Sequence, residues 1–358
     1  MNLSWMPFSK LFPTPRRAEQ EIDWFNPPFP IECVIETGNI CNLACPFCPT
    51  GIGQTGMKRG LMSLKTFRKV IDRLKNHVFC YEMMNWGEPF LNPDFLDMVR
   101  YLSKNGLRSN VDSNFCAFEF SDQFCEEIVR SGIWMISASI DGTTENTYSL
   151  YRREGNFDLA MANLKRLCRA RDRLNSDSPI IHWQFLVHKN NEHEVENAKG
   201  IAEELQILLT FMPMDIWYET NELMKSSLHK LAEQGNYIRE EWRYDFFRGY
   251  AKGNKYFEPT RKLFGFSPRF PTLPSGLPPV CFQPFARIVV NWDGQVLPCM
   301  HCYGDQFLIG DLTKGSLKQV WYNPQFKSCR NYLLNYGSPA RKNSGSVCEK
   351  YPCSLIDK

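Results

Sequence analysis

Between residues 31 and 215 the sequence alternates short runs rich in β-branched and aromatic residues with amphipathic, helix-like stretches. Strand–helix alternation of this kind favours parallel strands joined by right-handed crossovers. Six such units are too few for a closed eightfold barrel, so the sequence predicts an α/β fold with a partial (β/α)6 TIM-like barrel. The predicted strands lie at 31–37, 79–84, 107–112, 133–140, 180–187 and 207–212. The predicted helices lie at 63–77, 92–105, 121–131, 157–174 and 191–205.

The rest of the chain differs in composition from this barrel region. Residues 1–30 form an N-terminal extension ahead of the barrel at 31–215. Residues 216–280 are rich in aromatic and basic residues and end in a proline-laden stretch, which is typical of a bridging segment that runs into an extended linker. Residues 281–358 are expected to form a small cysteine-rich α+β domain with a hairpin turn at its Asp-Gly pair. A domain this small is expected to need a metal for its stability.

The chain contains 14 cysteines among its 358 residues, and their number indicates a special chemistry. No signal peptide begins the sequence, and no apolar run approaches the roughly 18 residues of a membrane span, so we expect a cytoplasmic protein with no membrane partner. In that compartment disulfides are disfavoured, and metal or redox roles are favoured. The net charge of +3 is too small to indicate a nucleic-acid partner.

Three of the cysteines follow the first predicted strand with CxxxCxxC spacing: Cys41, Cys45 and Cys48. Three thiolates on a tight loop can each hold one iron of a cubane cluster, which leaves the fourth iron open to another ligand. A zinc site prefers a fourth cysteine or histidine close by, and this stretch has none. Structural or zinc-bound cysteines are the alternative interpretation.

This motif in a partial barrel resembles the radical S-adenosylmethionine (SAM) superfamily. The resemblance implies that Cys41, Cys45 and Cys48 bind a 4Fe–4S cluster whose open iron chelates SAM. Reductive cleavage of SAM would then yield a 5′-deoxyadenosyl radical that abstracts hydrogen from a substrate. The cofactor carries that chemistry, while the protein places it and excludes water. A flavodoxin- or ferredoxin-type reductant is the implied electron donor.

Further motifs follow the later strands in the order that the resemblance implies. A Trp-Gly-Glu-Pro segment after the second strand resembles the family's Gly-Gly-Glu-Pro, with Trp86 in place of the first glycine. Its remaining glycine lets a ligand approach the main chain. Polar residues also follow the third strand and end the fourth, and a nearby arginine suits the SAM carboxylate. The implied SAM contacts are Gly87, Glu88, Ser113, Asn114, Ser137, Ser139, Asp141 and Arg152.

A second group of cysteines lies near the end of the chain. The order Cys281, Gly294 and Cys299, followed by Cys348 and Cys353, resembles the SPASM/twitch extension of some radical SAM enzymes. The resemblance implies that these four cysteines hold one auxiliary 4Fe–4S cluster with an electron-transfer role. A structural zinc site is the alternative.

Cys302 and Cys329 have no place in that pattern. Each is a candidate hydrogen-atom donor, a candidate substitute ligand or a small buried hydrophobe. Residue type and spacing do not decide among these three roles.

The resemblance leaves the substrate open. Family members with one auxiliary cluster include dehydrogenases and epimerases of sugars and aminocyclitols, whereas peptide-modifying members often carry an added recognition domain of roughly eighty residues. Only about thirty residues precede the first predicted strand. We therefore expect a small polar, sugar- or aminocyclitol-like substrate whose carbinol carbon is dehydrogenated or epimerised, rather than a peptide. The alternatives are a SPASM-type maturase of a ribosomally made peptide or protein, and a non-catalytic protein whose fold is stabilised by zinc ions or iron–sulfur clusters.

Overall fold

The computed structural model describes residues 23–214, 281, 283–335, 338 and 344–350. The predicted bridging segment and Cys353 lie outside the described residues. The strands are β1 (Glu32–Ile35), β2 (Cys80–Glu82), β3 (Arg108–Ser113), β4 (Met135–Ser139), β5 (Ile180–Val187), β6 (Leu208–Pro213), β7 (Arg287–Val290), β8 (Gln295–Leu297) and β9 (Gly310–Asp311). The α-helices are α1 (Leu64–Leu74), α2 (Phe95–Lys104), α3 (Asp122–Ser131), α4 (Glu145–Tyr151), α5 (Phe157–Arg173), α6 (Val195–Glu204), α7 (Gln283–Ala286), α8 (Leu317–Trp321), α9 (Pro324–Leu334) and α10 (Val347–Lys350).

The nine strands form one sheet in the order β6-β5-β4-β3-β2-β1-β7-β8-β9. Strands β1 to β6 each pair in parallel with their sequence neighbours, which confirms the predicted partial barrel. Strand β7 pairs in parallel with the other side of β1, and β8 and β9 continue from it antiparallel. The C-terminal hairpin therefore extends the barrel sheet instead of standing apart from it.

Local signals explain where most of the helices begin and end. Ser63 caps α1 by accepting a hydrogen bond from the amide of Thr66 at 3.1 Å. Gly132 ends α3 with φ at +87°, a left-handed conformation that glycine adopts without strain. Helix α4 was not predicted, because its seven residues ENTYSLY lack an apolar stripe of helical period.

The two faces of the sheet differ in chemistry. Outward-facing residues such as Ile136 and Trp183 belong to one apolar core shared with the helices, and both side chains are fully buried. Alternate positions on β2 to β6 point to the interior of the barrel and are largely polar. The side chains of this inner face hydrogen-bond to one another. These inner residues include Glu82, Asn110, Asp112, Ser137, His182 and Thr210.

Candidate functional site

The loop that follows β1 carries the first three cysteines. Cys45 is buried, and Cys41 and Cys48 are half-buried; all three are thiols without a disulfide. The amide of Cys48 donates to the carbonyl of Cys45 at 3.2 Å, which tightens the loop. A Cβ at Gly51 would lie 2.5 Å from the backbone of Cys45, so only glycine lets the chain return across this loop.

Two thiols of this loop, those of Cys41 and Cys45, are protonated when no metal is bound. Burial raises the pKa of Cys41 to about 12 and that of Cys45 to about 11. The nearby thiol of Cys48 raises both further, whereas the guanidinium of Arg152 opposes the rise at Cys45. Iron binding to these thiols must therefore release protons.

The same loop fits a cluster better than a single ion. Within the described ranges, no three His, Cys, Asp or Glu side chains are arranged to hold one metal ion. In a cubane, each cysteine binds a different iron, so the sulfurs need not converge on one point. Three thiols on one glycine-dependent loop meet that requirement, and those of Cys45 and Cys48 lie close enough to raise the pKa of Cys41.

The end of β3 is bound to this loop through Asn114. The side-chain amide of Asn114 donates to the carbonyl oxygen of Asn42 at 2.8 Å and lies 3.7 Å from the sulfur of Cys41. An amide near a cluster sulfur stabilises the negative charge on that sulfur. Asn114 therefore contacts the cysteine loop directly, whereas the sequence implied a contact with SAM.

The carboxylate of Glu88 is occupied by protein donors. Its oxygens accept from the hydroxyl of Ser113 at 2.8 Å, the amide of Asn114 at 2.8 Å and the amide of Phe90 at 3.2 Å. Burial raises the pKa of Glu88 to about 7, against the effect of these bonds. In the described structure Glu88 positions the end of β3 beside the cysteine loop.

Gly87 packs against the main chain of Gly38 and Asn39 and does not face an open space. A Cβ at this position would lie 2.0 Å from the carbonyl oxygen of Gly38 and 2.9 Å from the Cα of Asn39. The next residue, Glu88, donates its amide to the carbonyl of Ile40 at 2.9 Å. The glycine thus allows the segment after β2 to lie against the segment that leads to Cys41.

A buried ion pair joins the end of β4 to the end of α4. Nε of Arg152 donates to Oδ2 of Asp141 at 2.6 Å, and Asp141 also accepts from the amide of Leu186 at 2.7 Å. Asp141 is fully buried, and Arg152 is 13% exposed. The carbonyl of the next residue, Arg153, accepts from the amide of Ala44 at 2.9 Å, so the chain beside this pair contacts the cysteine loop.

Polar side chains in the interior of the barrel contact one another in series. The sequence analysis predicted only some of them. The hydroxyl of Ser137 lies 2.9 Å from Nδ1 of His182, whose Nε2 contacts the hydroxyl of Thr210. Burial raises the pKa of Asp112 to about 6, opposed by a hydrogen bond from Ser137. The period-2 alternation of the strands was the available signal for these residues. Ser139, also predicted, is buried at the end of β4.

The C-terminal cysteines form a second group of thiols. Cys299 follows β8, and its sulfur lies 3.4 Å from that of Cys302. Cys329 on α9 hydrogen-bonds with Cys348 on α10, which lowers the pKa of Cys329 to about 7. Cys281 packs with Cys348 around Phe285 and Tyr332. No disulfide joins any cysteine of the described residues.

Two sequence profiles match the chain. That of the radical SAM superfamily matches residues 35–198, and that of the SPASM iron–sulfur cluster-binding domain matches residues 281–353. The chain is a radical SAM enzyme with a C-terminal SPASM domain, and its cofactors are 4Fe–4S clusters and SAM. These assignments confirm the resemblance drawn from the cysteine motifs.

Several curated proteins are similar to the chain over much of its length. The tungsten-containing aldehyde ferredoxin oxidoreductase cofactor-modifying protein of Pyrococcus furiosus is 22% identical over 86% of this chain and 85% of its own. The mycofactocin maturase MftC of Mycobacterium ulcerans is 26% identical over 84% and 77%. The PqqA peptide cyclase of Ruegeria pomeroyi is 24% identical over 50% of this chain and 45% of its own.

A solved structure shares the fold. Streptococcus suis SuiB, bound to the precursor peptide SuiA, superposes with a TM-score of 0.62 at 15% identity, over 87% of this chain and 69% of that chain. At this level of identity the likeness supports the architecture alone.

The expected sugar- or aminocyclitol-like substrate is wrong, as is the preference for a small molecule over a peptide. The comparisons that overturn it are with a maturase matched over most of the chain and with a peptide cyclase. The expectation rested on the length of the N-terminal segment, which says nothing about what the barrel binds. Among the described residues, no helix has both the length and the apolar character needed to cross a membrane.

Proposed function

We propose that this chain is a radical SAM maturase that modifies a peptide or protein. The observation that carries the proposal is the length of the similarity to MftC. The alignment of the two proteins extends over 316 residues. An alignment of that length includes parts of both the barrel and the SPASM domain. The similarity to a peptide cyclase supports a peptide as the substrate class.

The shape of the sheet supports a long substrate. Strands β6 and β9 are both edges, so the described sheet does not close on itself. In the described part of the chain no further strand pairs with either edge, which would let an extended peptide reach the polar interior from the side. A closed barrel would admit ligands only from its end.

The interior supplies groups that exchange protons near neutral pH. Burial raises the pKa of Glu82 to about 7 and that of Asp112 to about 6. The bound cluster and SAM supply the radical that removes hydrogen from the substrate, while these carboxylates are placed to hold or take up a proton. Asn110 donates to Glu82 at 2.8 Å and fixes its orientation.

The transfer of deuterium tests the substrate class. The reconstituted enzyme is incubated with SAM, a strong reductant and extracts of deuterium-labelled cells, separated into a peptide fraction and a fraction of small metabolites. We expect deuterium in the 5′-deoxyadenosine formed with the peptide fraction, and its loss after that fraction is digested with a protease. The variant Cys45→Ala is the control that forms no 5′-deoxyadenosine. Deuterium transfer from the small metabolites alone would contradict the proposal.

A further inference from the structure

The inner face of the sheet carries two neighbouring carboxylates, Glu82 and Asp112, which we call the interior carboxylates. Glu82 ends β2, and Asp112 is the last residue but one of the adjacent strand β3. Burial, and after it the negative charge of Asp112, raises the pKa of Glu82 to about 7, so the two groups are close together. Both side chains are half-buried, and a ligand inside the barrel can therefore contact them.

A buried amide beside the interior carboxylates presents an unused acceptor. Asn110 is 3% exposed, and its Nδ2 donates to Glu82 at 2.8 Å. Its Oδ1 accepts no hydrogen bond from any residue that the structure describes. Asn110 and Asp112 are two positions apart on β3, so their side chains lie on the same face. Since buried acceptors are normally hydrogen-bonded, Oδ1 of Asn110 indicates that a donor binds here.

Negative charge is in excess in this part of the barrel. Arg287 and Arg152 each oppose, through their positive charge, the burial that raises the pKa of one interior carboxylate. Both arginines are already paired with other acids. Arg287 donates to Glu32 at 2.7 Å, and Arg152 donates to Asp141 at 2.6 Å. Two arginines thus face four carboxylates, and a further cation would balance the charge better.

The arrangement suits an organic cation better than a metal ion. Among the residues that the structure describes, no three His, Cys, Asp or Glu side chains could hold one metal ion. Glu82 accepts from Asn110, and Asp112 accepts from Ser137, so neither offers both oxygens to a bidentate guanidinium. An alkylammonium group has one positive charge and three N–H donors, which match two carboxylates and one amide oxygen.

We propose that Glu82, Asp112 and Asn110 form a binding site for an alkylammonium group of the substrate. The proposal rests on the peptide-modifying function proposed above, since a lysine side chain or a free amino terminus of a peptide supplies this group. Asp112 lies two positions before Asn114, whose side-chain amide is 3.7 Å from the sulfur of Cys41. A peptide held by its ammonium group therefore lies near the cysteine loop.

Three derivatives of lysine test the site and separate the two sources of the ammonium group. Nα-acetyl-lysine methylamide has a charged side chain, Nε-acetyl-lysine methylamide has a charged amino terminus, and the doubly acetylated methylamide has neither. Each is titrated into the reconstituted full chain with SAM bound and no reductant, and its affinity is obtained from thermal unfolding. We expect one charged probe to bind at least about tenfold more tightly than the neutral probe, which is the effect of one charge-assisted hydrogen bond.

Variants show whether the interior carboxylates cause this preference. Glu82→Gln and Asp112→Asn keep the size of the side chain but remove its charge, and each should lower the preference at least threefold. Glu204→Gln, at an exposed position on α6, is the matched control and should keep the wild-type preference. Equal binding of charged and neutral probes to wild type would overturn the proposal. So would a wild-type preference in both Glu82→Gln and Asp112→Asn.

Circular dichroism shows whether each variant is folded, and if one is not, the comparison of the three probes with wild type decides. The assay measures binding without turnover, so its result is separate from that of the deuterium-transfer experiment. Deuterium transfer from peptides, together with equal binding of the probes, would refute the ammonium site alone. A preference for a charged probe, together with transfer from small metabolites only, would refute the peptide substrate and leave the ammonium site supported.

Discussion

The side-chain amide nitrogen of Asn114 lies 3.7 Å from the sulfur of Cys41, although the two residues are 73 positions apart in the chain. The contact exists because the carboxyl ends of the parallel strands β1 and β3 lie on the same side of the sheet, with only β2 between them. It places a hydrogen-bond donor beside a sulfur that is predicted to bind the SAM cluster.

Replacing Asn114 is expected to lower the reduction potential of that cluster. Asn114→Asp removes the N–H donor and adds a negative charge, and both changes disfavour the more negative reduced cluster. A hydrogen bond worth about 1 kcal/mol corresponds to roughly 40 mV for one electron, so the fall should be at least that large. A potentiometric titration followed by electron paramagnetic resonance measures it. An unchanged potential would mean that the contact has no electronic effect.

Removal of Arg152 should destabilise the protein strongly. Arg152→Met leaves the fully buried carboxylate of Asp141 without its partner, which typically costs about 3–5 kcal/mol. The double variant Asp141→Asn/Arg152→Met should lose less than the sum of the two single variants, because no buried charge is then left unpaired. Urea unfolding of all four proteins measures this coupling, and additive losses would contradict it.

Glu36 should make stability fall as pH rises. Its carboxyl is fully buried, and burial raises its pKa from 4.5 to about 8, opposed by hydrogen bonds from the amides of Trp86 and Trp292. The folded state therefore binds the proton more tightly than the unfolded state, and stability is lost as pH rises from about 5 to 8. Glu36→Gln removes this effect and should gain roughly 1–4 kcal/mol over wild type between these pH values.

Thermal unfolding at pH 5, 6.5 and 8 measures the effect of Glu36→Gln. The exposed Glu204→Gln on α6 is the matched control for loss of a carboxylate at the surface. A constant difference between Glu36→Gln and wild type across the series would show that Glu36 does not titrate in this range.

Gly87→Ala should weaken SAM binding as well as the fold. The added Cβ would lie 2.0 Å from the carbonyl oxygen of Gly38, so the segment that leads to Cys41 must move. Overpacking of this kind typically costs about 1–3 kcal/mol. Equilibrium dialysis with SAM and thermal unfolding test both effects. Gly200→Ala on α6 is the control, because its Cβ meets no atom within 4 Å; similar behaviour of the two variants would refute the steric explanation.

The two cysteine groups should separate SAM cleavage from turnover. Cys45→Ala is expected to abolish SAM cleavage, because Cys45 is a predicted ligand of the SAM cluster. Cys299→Ala should retain SAM cleavage but stop product formation, since only the auxiliary cluster is affected. Chromatography of 5′-deoxyadenosine and of product measures the two steps. Undiminished SAM cleavage by Cys45→Ala would contradict the ligand assignment.

Local pattern was sufficient for the secondary structure of the barrel and for its class. Apolar periodicity predicted β1 to β6 and five helices, because those elements bury one defined stripe or face. The spacing of Cys41, Cys45 and Cys48 was sufficient for the family, since three thiols within one turn-rich loop are a local arrangement. Helix α4 escaped because its residues show no such stripe.

Contacts between distant segments could be found only in the folded chain. The pairing of β7 with β1 leaves no periodic signal in the sequence. The same is true of the contacts among four C-terminal cysteines, which are Cys299, Cys302, Cys329 and Cys348. The same holds for Asn114 beside Cys41, and for the hydrogen bonds that occupy the carboxylate of Glu88. Spacing determines what a residue can do within its own loop, whereas strand order and register determine which loops meet. The order and register of the strands therefore determine which of these side chains contact one another.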